Sequence, residues 1–510
     1  MDRFGFPSDD PLRFPLLSGL PVRFSRSSTR AGRHAIGTAA LLGATAIAPL
    51  LFGSSTTRTG ALLLLMVSVS LVFASPPADR RTRTIFWWLV LALAVWLAYG
   101  LSRTAGWPAI GEIALVHQSR DLLGLALEGS ATTLDPSRFT PSLVSGLVVF
   151  ATLCSAILLG QDRNRSISFL HGFLILSTLT TLLTLGAFAA QPRFVLWHEK
   201  TTYLRDFTLT FVNRGAAGAW LCLSAGVALA FLVRHLIATN RETALSGGSL
   251  GRRIVAVALE RPTPMVAHLL AVALPVCGLL LTQSRAALVI LGIDLALLLL
   301  LVWLAPEIRT RTKRAATIAL LLATVVTVQV AASGLSARVA ETGFLDEGRL
   351  AIWQATLIGI RDAPWFGYGP GTFPEGFAAY RSVALEHLGE IRSAHSLPLE
   401  LAFELGLPLA IGLLLVWAGL VLSLAAGLRR RPFDVVRACG LLAAVTLTGA
   451  VSVDVASQTL GFVVPALAVF GLALGQTGSR AWRRRTGRRL PDEIDAEGIW
   501  TQRDERFGSH

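Results

Sequence analysis

The chain has 510 residues, 53% of them hydrophobic and only 15% charged, with a mean hydropathy of +0.59. Soluble domains carry about 25% charged residues, so most of this chain does not face water. The net charge of +14 does not point to nucleic acid, because the basic residues lie in short loops between apolar runs and in both tails, as topology signals and anionic-lipid contacts do.

Residues 1–34 are polar and arginine-bearing, with no apolar period. A signal peptide is not expected, since the basic tail is long and no A-x-A-like site follows the first apolar run. Apolar runs then fall near 35–52, 60–75, 84–102, 141–160, 168–190, 211–233, 263–282, 286–305, 315–333, 399–427, 436–453 and 458–476. Many approach or exceed the roughly 20 residues that cross a bilayer core, and they are continuous, unlike the alternating strands of a β-barrel. The expectation is an all-α polytopic membrane protein of about 12 transmembrane helices, with a transmembrane domain over 35–476 and a tail over 477–510. The second run is short and the tenth long. Cys154, Cys222, Cys277 and Cys439 all sit in apolar runs without metal-ligand spacing, so they read as small core residues rather than a disulfide framework or zinc site.

With the N-terminus inside and helices alternating, 32 of the 46 Lys and Arg fall on inside segments, although the outside holds the two longest loops, 103–140 and 334–398. The positive-inside rule therefore puts both termini in the cytoplasm and the long loops outside. The tail from Arg480 is basic and then acidic, a stop signal followed by a polar end.

Polar residues at helix ends are the candidates for chemistry. Asn213 and Arg214 open a run at its outer end, followed by the small residues 215–219, which permit close helix packing. Arg285 lies between two apolar runs with almost no loop to spare. Either arginine can snorkel to the interface or hold a phosphate through its planar donors. The outer loop 334–398 is the one long hydrophilic interruption in the second half of the chain. Arg349, with Leu350, Ile352 and Trp353, has the spacing of an amphipathic helix lying near the membrane surface. Trp365 and Tyr368 accompany glycines 367, 369 and 371; the aromatics can stack on sugar rings or sit at the interface. His395 closes the loop just before a helix start with Pro398 in its first turn, and a neutral imidazole there can take a proton from a hydroxyl. Glu400 and Glu404 follow in apolar sequence and can neutralise a neighbouring arginine; Asp294 and Asp454 are further acids without an evident partner. His117 and His198, in other outer loops, are weaker base candidates.

Together TFVNRGAAGAWL (210–221), LTQSRAALVIL (281–291), GRLAIWQATL (348–357), GYGPGTF (367–373) and AHSLPLELAFELG (394–406) resemble the O-antigen ligase/polymerase superfamily, integral membrane enzymes that include WaaL-type ligases and Wzy-type polymerases. The family's Ser-Arg pair at a helix junction, its Arg-x-x-x-Trp segment and its loop-closing histidine correspond to Arg285, Arg349 and His395; its Glu-x-Gly corresponds to Glu404–Gly406. This chain departs from the pattern at Ser396, where the family often has Asn, and at Gly215, where it has Asn or similar. The resemblance implies a GT-C-like glycosyltransferase with a periplasmic site in the bacterial inner membrane. It would take a glycan from undecaprenyl pyrophosphate to lipid A core or to a growing glycan, using neither nucleotide sugar nor metal. Arg285, Arg349 and Arg214 would stabilise the pyrophosphate, and His395 would deprotonate the acceptor. Asn213, Trp353, Tyr368 and Glu404 are the expected substrate contacts. The competing reading is a 12-helix transporter or flippase, in which Asp294 and Asp454 would couple to protons. Cysteines introduced at Ala384 and Ser246 test the topology: only the first is expected to react with an impermeant thiol reagent in intact cells, and the reverse result overturns the orientation.

Overall fold

A computed structural model describes residues 26–54, 56–105, 133–243, 262–318, 321, 347–382, 385, 389–426 and 433–486. The fold is helical: α1 (Arg26–Leu50), α2 (Thr57–Val72), α3 (Arg80–Thr104), α4 (Phe139–Leu159), α5 (Arg163–Ala190), α6 (Arg214–Thr243), α7 (Pro262–Thr282), α8 (Arg285–Leu304), α9 (Glu347–Asp362), α10 (Phe373–Phe377), α11 (Leu397–Leu405), α12 (Leu407–Ala425), α13 (Val435–Val453) and α14 (Leu460–Thr486). A two-residue hairpin, β1 (Phe194–Val195) against β2 (His198–Glu199), lies between α5 and α6. Among the described residues α3 to α8, α12 and α13 are long and apolar enough to cross a membrane, while Thr57–Val72 and Leu460–Gln476 are shorter. The chain is an integral membrane protein of the expected all-α class. The ninth apolar run, 315–333, falls mostly outside the described residues, as do Ala384 and Ser246.

The bundle is centred on α6, α13 and α14. The helix α14 packs along α4 and α13, and α6 along α7, α8 and α13. Small residues on α6, including Ala216, Ala217, Ala219, Ala225 and Ala228, are buried in this core, so backbones approach closely where no hydrophobic drive between helices exists. Cys154, Cys222 and Cys439 are buried as expected, whereas Cys277 faces outward from α7.

The tenth run, read from sequence as one long helix, is two. Pro408 has no N–H and its ring would collide with the carbonyl of Glu404, four residues back. The chain breaks at Gly406, which has φ 78°, a conformation only glycine adopts freely. A Cβ there would lie 2.3 Å from the Trp365 carbonyl oxygen. The break releases two carbonyls from the helix ladder, and both are satisfied by the long loop. The Phe403 oxygen accepts from the Tyr368 amide at 3.1 Å, and the Glu404 oxygen from the Gly369 amide at 2.9 Å. The Tyr99 hydroxyl also donates to the Glu404 oxygen, at 3.1 Å, and the Leu407 amide turns to Pro364 at 2.7 Å. Around this joint the loop builds its own small core, with Ile352, Phe373 and Phe377 buried against Phe403.

Because both φ and space at 406 exclude a side chain, Gly406→Ala is expected to destabilise the protein by about 1–3 kcal/mol, read as a lower midpoint of thermal unfolding in detergent. An unchanged midpoint would refute the account of the break.

Candidate functional site at the seam of loop and bundle

Asp454 is where the loop and the bundle meet. It caps the C-terminus of α13 and is 6% exposed. One carboxylate oxygen lies 3.7 Å from Nη2 of Arg349, and the other lies 3.9 Å from Nδ1 of His395. Arg349, in the first turn of α9, also donates from Nη1 to the Val453 carbonyl at 2.7 Å, one of the carbonyls left over at the end of α13. The early-loop arginine and the loop-closing histidine, 46 positions apart in sequence, therefore converge on a single acid at the end of a bundle helix.

The third element at Asp454 is the start of α6. A Cβ on Gly215 would lie 1.8 Å from the Asp454 Oδ2 atom, so the carboxylate rests on the first turn of α6. There the positive end of the helix macrodipole favours it. The volume that a side chain at position 215 would fill is taken by Asp454. Asn213 caps the same turn, its Oδ1 accepting from the Gly215 amide at 2.5 Å and the Ala216 amide at 3.3 Å. Arg214 is held by Asp206, Nη1 to Oδ2 2.8 Å, with the Tyr203 ring 5.0 Å from its guanidinium carbon.

Arg285 is brought level with this group by helix register. It opens α8, behind Ser284, whose Oγ accepts from the Ala287 amide at 3.4 Å. Helices α8 and α13 are antiparallel, with Ile290 against Gly449 and the Thr446 hydroxyl donating to Asp294 at 2.7 Å. Asp294 lies nine residues into α8 from Arg285, and Thr446 lies eight residues before Asp454 on α13. At 1.5 Å per residue both end about 12–14 Å above the Asp294–Thr446 rung. Ser284 and Ala287 also abut Gly218 of α6, which places the start of α8 beside the start of α6. Arg214, Arg285, Arg349 and His395 thus stand at one end of the bundle, each half-buried.

The remaining expected contacts are distributed differently. Trp353 reaches the histidine turn, donating from Nε1 to the Ala394 carbonyl at 2.9 Å. Tyr368 is 1% exposed, stacked on Phe403 with ring centroids 4.4 Å apart, and its hydroxyl meets that of Tyr380 at 2.5 Å. Burial pushes both phenols up from their ordinary range, so they serve as neutral donors, Tyr380 to Asp362 at 2.7 Å. Glu404 turns its carboxylate to the Gly-rich segment, accepting from the Gly371 amide at 2.8 Å and the Phe373 amide at 3.2 Å. Tyr368 and Glu404 therefore build the loop's core, while Trp365, 70% exposed, faces outward. His198 packs its ring on Phe52, centroids 4.8 Å apart, and His117 lies outside the described residues.

Sequence reasoning named Asp454 but found it no partner, and it did not single out Asp206. An acid at a helix edge was the only signal for the first. Nothing local marks the second, whose role appears only when the 191–213 segment folds back over α6.

Several half-buried arginines and a histidine thus gather with Asp454 at one end of a bundle of membrane-spanning helices. Residues 270–414 match the family described as O-Antigen ligase, and this supports the O-antigen ligase/polymerase superfamily for the chain. The match spans Arg285, Arg349, His395 and Glu404 and stops short of Arg214 and Asp454. No curated protein matches the chain.

A double-mutant cycle tests the seat of Asp454. Gly215→Ala is expected to cost about 1–3 kcal/mol through overpacking, and much less in a background carrying Asp454→Ala, because contacting sites are non-additive. Additive losses in thermal unfolding would separate the two residues.

Proposed function

We propose that the protein is a glycosyltransferase acting at the periplasmic face of the bacterial inner membrane, with both termini in the cytoplasm. It transfers a glycan from undecaprenyl pyrophosphate to an acceptor hydroxyl, either ligating O-antigen to lipid A core or extending a polysaccharide. The observation that carries this reading is the convergence of Arg349 and His395 on Asp454, with both basic residues inside the stretch that matches the O-antigen ligase family.

In the proposed reaction the acceptor oxygen attacks the anomeric carbon while the bond from that carbon to the pyrophosphate oxygen breaks. The hydroxyl proton passes to His395 as general base. Asp454, facing Nδ1, favours the tautomer protonated there, which leaves Nε2 to accept; the 3.9 Å separation shortens when the substrate closes the site, as catalytic contacts often do. Negative charge grows on the leaving pyrophosphate, and Arg285 and Arg349 stabilise it, with Arg214 adding to the field. A single displacement inverts the anomeric centre. Asn213 and Trp353 act through the α6 cap and the histidine turn, and Tyr368 and Glu404 through the shape of the loop.

The family match favours this reading over a transporter. Asp454, one of the two acids a transporter would use for proton coupling, is engaged by Arg349 and sits beside His395.

His395→Ala at normal protein level is expected to reduce transfer by about 10²–10⁴-fold, seen in envelope glycans resolved on a gel. In a deletion strain, unattached long chains identify a ligase and single repeat units a polymerase. Normal surface glycan in the His395→Ala strain would remove His395 as the base.

A further inference from the structure

His395 is held in a backbone conformation that non-glycine residues adopt uncommonly. Its φ is 54°, a region that bulky non-glycine residues rarely occupy without surrounding restraint. Four hydrogen bonds pin the turn. The His395 amide donates to the Ser393 hydroxyl oxygen at 3.1 Å, and the Ser393 hydroxyl donates to Glu400 Oε2 at 2.7 Å. The Ala394 amide donates to the same Oε2 at 3.2 Å, and the Ala394 carbonyl is taken by Trp353. The other Glu400 oxygen, Oε1, accepts from Nε2 of Gln458 at 2.9 Å.

Gln458 ends the short 3₁₀ turn Val455–Gln458, four residues beyond Asp454. The segments 393–400 and 454–458 therefore face each other across two rungs, His395 to Asp454 and Glu400 to Gln458. Only the second rung is a hydrogen bond. Among the described residues His395 Nδ1 has no hydrogen-bond partner, so the spacing of the first rung is not set by its own members. We propose that Glu400 and Gln458 are positioning residues that fix the His395 turn against Asp454, a role that rests on the reading of His395 as base. Glu400 is buried, with its carboxylate oxygens occupied from both sides, and Gln458 acts through it.

Charge exchange across the second rung tests this. Gln458→Glu puts two carboxylates at contact distance, where both cannot ionise together. The rung then holds only while one carboxyl keeps its proton. Transfer activity of Gln458→Glu is expected to fall at least about tenfold at pH 8 and to recover on acidification, moving the alkaline limb of the profile down. The pair Glu400→Gln with Gln458→Glu restores one carboxylate facing one amide and should return the wild-type profile. Gln458→Ala, which adds no charge, should lower kcat with little change in KM, as loss of alignment without loss of binding does.

A second measurement does not depend on turnover. The rate at which diethylpyrocarbonate modifies His395, followed by mass spectrometry on purified full-length protein, should rise several-fold in Gln458→Ala and in Gln458→Glu, and return in the double variant. If that rate is unchanged in both single variants, the positioning role is wrong. If it changes while transfer does not, the bridge stands and the assignment of His395 as base fails.

Discussion

A helix that breaks at the membrane edge must have its freed carbonyls satisfied, and much of this architecture follows from that. In hydrocarbon an unpaired carbonyl costs several kcal/mol, so a break such as the one forced by Pro408 is tolerated only where other backbone supplies donors. Here the donors are the amides of Tyr368 and Gly369 in the long loop. The loop is consequently part of the bundle rather than an appendage. Glu404, pointing its carboxylate back at the Gly371 and Phe373 amides, closes the joint from the other side. Anchoring the loop there brings the chain past His395 straight into α11, so the histidine enters the bundle at a defined place.

The second constraint is the handling of charge. Cationic groups near a membrane are stable when paired or when they reach the interface, and here Asp206 holds Arg214 while Asp454 faces Arg349. Asp454 is also set on the first turn of α6, where the helix field favours it, with glycine at position 215 leaving the room. The same arrangement that makes these charges tolerable gathers several half-buried donors at one end of the bundle. The proposed stabilisation of a leaving anion would call for such preorganised donors.

Depth in the membrane is set by register. The contacts of Ile290 with Gly449 and of Thr446 with Asp294 lock α8 against α13, so Arg285 and Asp454 rise to the same level. Intramembrane Asp294, a candidate for proton coupling from sequence, takes part in this lock through Thr446. Its burial in the seam between two helices is a packing fact as well as an electrostatic one.

Much of this was legible in the amino-acid order. Continuous apolar runs can satisfy their backbone only as helices in lipid, so the class of fold and nearly every described span followed from composition and length. Arg285, Arg349 and His395 stood out because a polar group at an apolar boundary is costly without a reason. The tertiary structure alone decided which of them meet. Asp454 and His395 are 59 positions apart, and nothing local couples them; they are neighbours because α13 ends where α11 begins. From sequence Tyr368 could stack on a sugar or sit at the interface and Glu404 could neutralise an arginine; the structure turns both side chains into the loop, because the helix break supplies carbonyls and a hydrophobic wall for the loop to fold onto. Sequence patterning reads the solvent each residue prefers, lipid or water. The partner that each polar group finds at their boundary depends on long-range packing.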